Sequence, residues 1–534
     1  MSCLLRNVVA RGLRSLASAQ AMEPSISKRL WQQSKREAMV CLYHPFVVSI
    51  AAGTLDLHSF QRFIAQDSFF LTAFAKAYGL AIERSDDREV KSEICKLQQA
   101  VYEELELHSS LMKAWNFDHT PPSPATCAYT DFLLAVAAGK KIESEKTKVP
   151  MLTLAAMAPC MRLYAFLGQE TRVFSRENHP YRDWISTYSS PGFETAATRL
   201  EQLLDRLSEA QETTAAEFQS MQSLYHRAIA YEVSFFDAQE VHGSNAFVPL
   251  LESVALKDRN FVLISDFDST CTVSDSSPVL AELAMAVDPD VRRKWSSLSD
   301  EYFRDYSKLL EEVVLRGGRE KNEYDYDAIK EALQVLSEFE KQGNAKIDAS
   351  RVFQGIKIDD IKQAGQNMAL QAGCASVLCR LSSKISCQIL SVCWSRTFIE
   401  AAFSKENITN VPVHSNELEN DGNFTTGSLI RRVETPIDKE ETMFREILHA
   451  PDDKFVIFIG DSLTDLLALL RADIGIVLGT SSSLDRASKA FGVKIVPLFS
   501  GLVQQSSRSA WRKEEGVLYR ASGWLEIEAF LAGN

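Results

Sequence analysis

The chain has 534 residues, 46% of them hydrophobic and 24% charged, with a formal net charge of −13. At about 100–200 residues per domain, that length holds more than one globular unit, each able to bury a core. The acidic balance, with no block of Lys and Arg, excludes nonspecific binding to nucleic acid, which needs clustered cations.

The first 22 residues carry Arg6, Arg11 and Arg14 and several serines, and no acid precedes Glu23. Leu4, Leu5, Val8, Val9, Leu13 and Leu16 share one side of a helical wheel, opposite the arginines. Such a segment reads as an organelle transit peptide, mitochondrial ahead of plastid. Met22 would then start a cytosolic form. No apolar run in the sequence reaches the ~18–20 residues of a membrane span. The ten cysteines form no CxxC pair and no zinc-spaced cluster, as expected of reduced thiols.

Residues 23–245 carry apolar side chains at three- and four-residue spacing, broken at HTPPSP, HP and SSPG. They predict an all-α bundle. Within APCMRLYAFLGQE, Cys160 and Tyr164 share a helix face, and Pro159 reads as the start of a new helical turn. A thiol near a helix start has a lowered pKa. Free cysteine is also commonly just a small buried hydrophobe. Asp67 falls inside an apolar helical stretch and needs a partner there. Glu232 stands beside Tyr231 in an aromatic helix, and Tyr129 and Tyr188 add aromatic rings with polar tips. Together these groups suit a pocket for a flat, nitrogen-rich ring; an ordinary aromatic core is the plainer alternative.

After a linker over 246–258 the texture changes. Short β-rich runs, FVLIS, CQILSV, VPVHS, FVIFI, IGIVL and VKIVPL, alternate with helical stretches. Continuous apolar runs of this kind suit strands buried on both faces of a parallel sheet, so residues 259–534 predict a doubly wound α/β domain. A charged, helical insertion at about 276–385 reads as a cap.

The first strand ends in SDFDST. Ligands of open α/β sheets gather at the carboxyl ends of strands, where Asp266 and Asp268 emerge. One carboxylate can attack phosphorus while the other handles protons. Another strand ends in GDSLTD, which places Asp461 at the same edge and Asp465 one turn on; such oxygen-rich groups suit Mg²⁺. Ser391 ends the second strand and can donate to a phosphoryl oxygen, with Ser395 a nearby competitor. Lys439 can supply positive charge, whereas Lys454 begins a strand at the wrong end. Each motif alone is weak, since Asp-rich turns are often helix N-caps. Their order carries the argument.

With DFDST, Ser391, Lys439 and GDSLTD in this order, residues 258–534 resemble the haloacid dehalogenase-like phosphatases. The resemblance implies Asp266 as nucleophile and Asp268 as general acid/base, with Ser391 and Lys439 holding the phosphoryl group. It implies Mg²⁺ on Asp266, Asp461 and the backbone carbonyl of Asp268, with Asp465 either binding the ion directly or supporting its ligands. The pattern HPF…GTL…QDSFFL, then PC…Y, then YE…FF resembles the TenA family of aminopyrimidine hydrolases. That resemblance implies Cys160 as nucleophile, Glu232 as acid/base, Asp67 on the pyrimidine edge, and Tyr129, Tyr164 and Tyr188 around the ring. Phe70 and Phe236 stand where that family often has Tyr and Trp. Homo-oligomers are common among such relatives.

The order of the two halves resembles plant fusions of a thiamin-salvage hydrolase and a thiamin monophosphate phosphatase. The implied substrates are thiamin monophosphate and 4-amino-5-aminomethyl-2-methylpyrimidine. A general phosphomonoesterase for sugar phosphates or flavin mononucleotide, joined to a noncatalytic pyrimidine-binding module, is the alternative.

Overall fold

The computed structural model describes residues 24–115, 117, 120–140, 148–210, 213–241, 247–256, 259–317, 323–449, 454–508 and 511–534. The leader and Met22 lie outside them, as does part of the expected linker. The chain divides into two compact units.

The first unit holds the described residues of Met22–Ala255, Leu502–Trp511 and Ala529–Asn534. It is helical: α1 (Ile26–Gln33), α2 (Lys35–Leu42), α3 (Pro45–Ala52), α4 (Leu57–Arg84), α5 (Arg88–Ala114), α6 (Pro124–Ala137), α7 (Val149–Thr171), α8 (Arg182–Tyr188), α9 (Pro191–Ala210) and α10 (Ala215–Asp237). Local signals fix the ends. Asp56 and Asp87 cap α4 and α5, Ser123 caps α6 ahead of Pro124, and Thr214 with Glu217 forms a capping box on α10. Helix α7 is the core, touching α4, α6, α8, α9 and α10. By length and composition, Val149–Phe174 is apolar enough to cross a membrane, contrary to the sequence expectation. Its most apolar 18-residue window is 83% buried within the protein, as a central bundle helix should be.

Two expectations change in this unit. Pro159 lies inside α7 rather than at the start of a turn. It withholds a backbone hydrogen bond one residue before Cys160 without ending the helix. The expected linker is in part packed structure: Phe247, Val248 and Leu250 are buried, and Leu250–Glu252 and Val254–Leu256 form 3₁₀ turns. The helical unit also gathers chain from far beyond residue 259. Phe530 meets Tyr43 edge-on at 6.1 Å, and Trp511 meets Phe247 at 5.9 Å.

The second unit holds the described residues of Leu256–Gly501 and Arg512–Glu528. Its main sheet is entirely parallel, in the order β4 (Val413–His414), β3 (Ser386–Leu390), β1 (Asn260–Ser265), β7 (Lys454–Gly460), β8 (Ile474–Leu478), β10 (Val517–Ala521) and β9 (Lys494–Pro497). All six sequence-predicted strands are in it. Residues 455–460 and all of β8 are buried, as strands covered on both faces must be. Register matters for the site. Ser265 lies opposite Ile389 on β3 and Ile459 on β7, so all three strands end level with one another.

Between β1 and β3 come α11 (Ser277–Val287), α12 (Val291–Gly317), α13 (Tyr326–Ser350), β2 (Gln354–Lys357), α14 (Ile358–Gln366) and α15 (Cys374–Ser382). Helices α12 and α13 pack together, and Tyr302, Tyr306, Ile329 and Leu333 join the core that contains Val433, Met443 and Leu466. The insertion is not purely helical. Strand β2 pairs with β6 (Phe424–Ile430), which pairs with β5 (Glu417–Asp421), in a small antiparallel sheet. Helix α14 packs on α16 (Arg396–Ser404), and α15 packs on β3.

Candidate active sites

In the α/β unit, the level strand ends bring Asp266, Ser391 and Asp461 to one edge. Asp266 follows β1, and its amide donates to the Ile459 carbonyl of β7 at 2.9 Å. Asp461 follows Gly460 at the end of β7, and its Oδ1 accepts from Thr270 Oγ1 at 3.2 Å. Oxygens of Asp266, Asp461 and Asp465 all lie within 4.8 Å of one another. Lys439, on α17 (Pro436–Thr442), is fully buried among them. Its Nζ is 2.9 Å from Asp266 Oδ1 and donates to Asp465 Oδ1 at 2.6 Å.

Asp465 is spoken for on both sides. Its Oδ2 accepts from the amides of Asp461 and Ser462 and from Ser462 Oγ, at 3.2, 3.0 and 2.8 Å. It therefore braces the loop and the lysine. The loop needs glycine at 460, because a Cβ there would lie 2.5 Å from Asp465 Cγ.

Electrostatics follow from burial. Burial and then the Asp465 charge raise the Asp266 carboxyl to about 6, against the opposing pull of Lys439. Burial alone would lower the Lys439 ammonium, but Asp266 and Asp465 outweigh it and hold it above its ordinary value. Asp268 is pushed well above the carboxylate range by burial, Asp275 and Asp266. Its two oxygens accept from Ser276 N at 2.8 Å and Ser276 Oγ at 3.0 Å. A carboxyl raised and held in this way is suited to carry a proton.

Ser391 is buried, and its Oγ accepts from the Cys393 amide at 3.2 Å, which aims the hydroxyl hydrogen elsewhere. The competitor Ser395 caps α16 and donates to Glu417 Oε1 at 2.9 Å. Lys454 donates to the Leu448 carbonyl at 2.5 Å, at the far end of β7. Thr270 and Ser276 escaped the sequence reading. Thr270 stands two residues beyond Asp268 in DFDST, which was signal enough; Ser276 had none.

In the helical unit, Cys160 on α7, Glu232 on α10, Tyr129 on α6 and Asp67 on α4 converge. Tyr129 Oη donates to Glu232 Oε1 at 2.8 Å, and the Cys160 thiol also hydrogen-bonds Glu232. Phe70 packs on Tyr129 with ring centroids 4.7 Å apart, and Tyr164 packs on Tyr188 at 4.9 Å. Gly168 lets Tyr188 approach, since a Cβ there would sit 2.3 Å from the Tyr188 backbone. Phe236 lies 6.1 Å from Tyr164.

Burial lifts Glu232 to about 7, with Tyr129 and Cys160 pulling the other way. The Cys160 thiol is raised well above its ordinary value by burial, Glu232 and Asp67. The sequence offers a helix-start thiol of lowered pKa as one of two readings, the other a simply buried cysteine. Its position mid-helix beside two buried acids produces the opposite, so Cys160 needs a base to become a thiolate, and Glu232 is in contact with it.

Comparison with known proteins bears on both units. Residues 28–241 match the TENA/THI-4/PQQC family. A protein of Arabidopsis thaliana named bifunctional TH2 protein, mitochondrial, is 39% identical over 97% of this chain and 91% of its own length. The chain belongs to the bifunctional TH2 family. An aminopyrimidine aminohydrolase of Halalkalibacterium halodurans is 29% identical over 36% of this chain and 86% of its own. A phosphoserine phosphatase crystal structure, 13% identical, aligns with 43% of this chain and 91% of its own at a TM-score of 0.28. In this TH2 family member, the TENA/THI-4/PQQC match spans Asp67, Tyr129, Cys160, Tyr164, Tyr188 and Glu232. The full-length relative extends the likeness across the sheet that carries Asp266 and Asp461.

Proposed function

We propose that the protein is a bifunctional hydrolase of thiamin metabolism. One unit dephosphorylates thiamin monophosphate; the other hydrolyses 4-amino-5-aminomethyl-2-methylpyrimidine to the hydroxymethylpyrimidine and ammonia. The observation that carries this is membership of the TH2 family over both units, supported by two buried constellations, Asp266 among Asp461, Asp465 and Lys439, and Cys160 beside Glu232 and Tyr129.

In the phosphatase reading, Asp266 attacks phosphorus and Asp268 gives its proton to the leaving alkoxide. Asp268 then takes a proton from the water that opens the phospho-aspartate. Ser276 orients Asp268, and Lys439 and Ser391 meet phosphoryl oxygens. The carboxylates of Asp266 and Asp461 and the carbonyl of Asp268 fit Mg²⁺, since they offer hard oxygens beside a phosphate site. Asp465 is engaged elsewhere and sits behind them. When bound, the ion screens one anion from another and stabilises charge on the equatorial oxygens. Chelation of divalent metal is therefore expected to abolish phosphate release while leaving ammonia release from the aminopyrimidine unchanged. Parallel assays of one preparation with and without EDTA check this.

In the other unit, Cys160 adds to the pyrimidine ring as its proton passes to Glu232, and Glu232 returns that proton to the amine as the exocyclic C–N bond breaks. Water then adds at the exocyclic carbon with its proton going to Glu232, and the thiolate leaves the ring and takes that proton back. Asp67 pairs with the aminopyrimidine edge, and Tyr129, Tyr164 and Tyr188 enclose the ring. With Glu232 held near 7, the aminohydrolase rate is expected to show an inflection near pH 7 that Glu232→Gln removes. Stability has the matching sign. A carboxyl whose folded pKa lies above its unfolded value favours folding at low pH, and that contribution is lost as pH rises from about 4.5 through 7. Melting curves across that range should show the loss in the wild type and less of it in Glu232→Gln.

The product of one site is not the substrate of the other, so the two reactions need no exchange of intermediate. The acid-free, arginine-bearing leader and the mitochondrial name of the Arabidopsis relative support a mitochondrial location, with Met22 as the start of a cytosolic form.

A further inference from the structure

Behind Asp67 lies a pair of side chains to which the function above gives no role. Asp67 Oδ2 is buried without a hydrogen-bond partner. His108 of α5 turns its Nδ1, likewise buried and unpartnered, toward it at 3.6 Å. Their side chains are 6% and 5% exposed. Glu104, one helical turn before His108, completes a cluster in which one oxygen or nitrogen from each residue lies within 4.8 Å of the others. Glu104 Oε1 also accepts from Tyr188 Oη at 2.6 Å. One face of α5 thus reaches two side chains that face the ring: His108 reaches Asp67, and Glu104 reaches Tyr188. The same face lines a cavity of about 470 Å³ together with Tyr188, Trp184 and Phe60.

We propose that His108 and Glu104 are positioning residues for recognition of the pyrimidine. With the pyrimidine bound, His108 closes the 3.6 Å gap to donate from Nδ1 to Asp67 Oδ2, which fixes Oδ2 as the acceptor oxygen and leaves Oδ1 to carry the proton that meets a ring nitrogen. Glu104 holds Tyr188 against the ring. This rests on the aminopyrimidine reading of the site.

The chemistry of the ring edge explains why such fixing matters. An aminopyrimidine presents a ring-nitrogen acceptor beside an amino donor, so it pairs with a carboxylic acid in one orientation. A flipped or ionised carboxyl forfeits one of the two hydrogen bonds. Asp67 is faced by Glu104 and His108 on α5, Glu232 on α10, Cys160 and Tyr164 on α7, and Tyr188 on α8. None of these is a permanent cation. Burial, then Glu104 and Glu232, hold the Asp67 carboxyl well above its ordinary range, and burial lowers His108 to about 4. A neutral acid beside a neutral imidazole is the form that a poorly solvated pocket favours.

The test measures the Kd of the hydroxymethylpyrimidine by calorimetry, and KM and kcat for the aminopyrimidine, from pH 5.5 to 8.5, on full-length protein. His108→Phe removes the donor; His108→Asn restores one near the Nδ1 position. The expected result is a roughly tenfold rise in Kd and KM for the Phe variant, with kcat changed less than about threefold. The high-pH limb of binding should move upward, because loss of the donor disfavours the Asp67 carboxylate. Both effects should largely revert in the Asn variant. If His108→Phe does not fold, Glu104→Leu against Glu104→Gln serves in its place, with the Gln form expected to keep Tyr188 and the affinity. Equal behaviour of the Phe and Asn variants, or unchanged Kd and pH limb, would overturn the proposal while wild-type binding kept the aminopyrimidine reading intact. A wild type that binds no pyrimidine would overturn both.

Discussion

Asp266→Asn should abolish phosphate release from thiamin monophosphate, by at least roughly 10³-fold in kcat, with aminopyrimidine hydrolysis unaltered. The amide matches the carboxylate in size but cannot donate an electron pair to phosphorus, and it also weakens the proposed Mg²⁺ site. The fold should survive. Lys439 keeps Asp465 as a partner at 2.6 Å, and Asp465 still ties down the loop after β7. Asp268→Asn should behave differently. The nucleophile remains, but the proton for the leaving group and the base for the second step are lost, a fall of about 10²–10⁴. A phosphorylated enzyme that accumulates in the Asp268 variant and not in the Asp266 variant would separate the two roles. Phosphate release kinetics and intact-protein mass, measured on both variants, check the pair of expectations.

The second large effect belongs to the helical unit. Cys160→Ala should remove ammonia release from the aminopyrimidine by at least roughly 10³-fold and leave the phosphatase untouched. The cost to stability should be small. Cys160 is buried, but its sulfur is one small group in the wall of an aromatic site, and its neighbours Glu232 and Tyr129 retain their mutual hydrogen bond. Because burial and two acids hold the thiol in its protonated form, alkylation by iodoacetamide at neutral pH should be slow in the free enzyme. An alanine variant with undiminished turnover would remove Cys160 from the chemistry and leave Glu232 to be reconsidered as the group that activates water.

Much of this arrangement was legible in the chain. Continuous apolar runs located six of the seven strands of the main sheet, and the candidate carboxylates fell at strand ends because the carboxyl ends of parallel strands share one edge. What sequence could not convey was the third dimension of pairing. Strand β2 is the four-residue QGIK, mostly solvent-facing, and it becomes a strand only because β6 lies some seventy residues on. Strand β10 is a short edge-proximal segment following a polar stretch, with only the three apolar residues Val517–Tyr519 before Arg520 to mark it.

The sites show the same division. Asp266, Asp268 and Asp461 announce themselves by motif, whereas Ser276 grips Asp268 from across a turn. Glu104 and His108 sit in the charged, amphipathic helix α5, where both resemble ordinary surface residues until α4 is packed against them. Cys160 was visible, but the direction of its pKa was not. That depends on Asp67 and Glu232, 93 residues before it and 72 after it, and on a proline that turns out to be inside the helix.

The most direct test of the thiamin assignment is kcat/KM for thiamin monophosphate with Mg²⁺, measured beside flavin mononucleotide and a panel of sugar phosphates on the same preparation. The account predicts that thiamin monophosphate exceeds every other ester by at least about tenfold, a difference of roughly 1.4 kcal/mol in transition-state binding. Equal or better turnover of unrelated esters would contradict it and leave a general phosphomonoesterase beside the aminopyrimidine site.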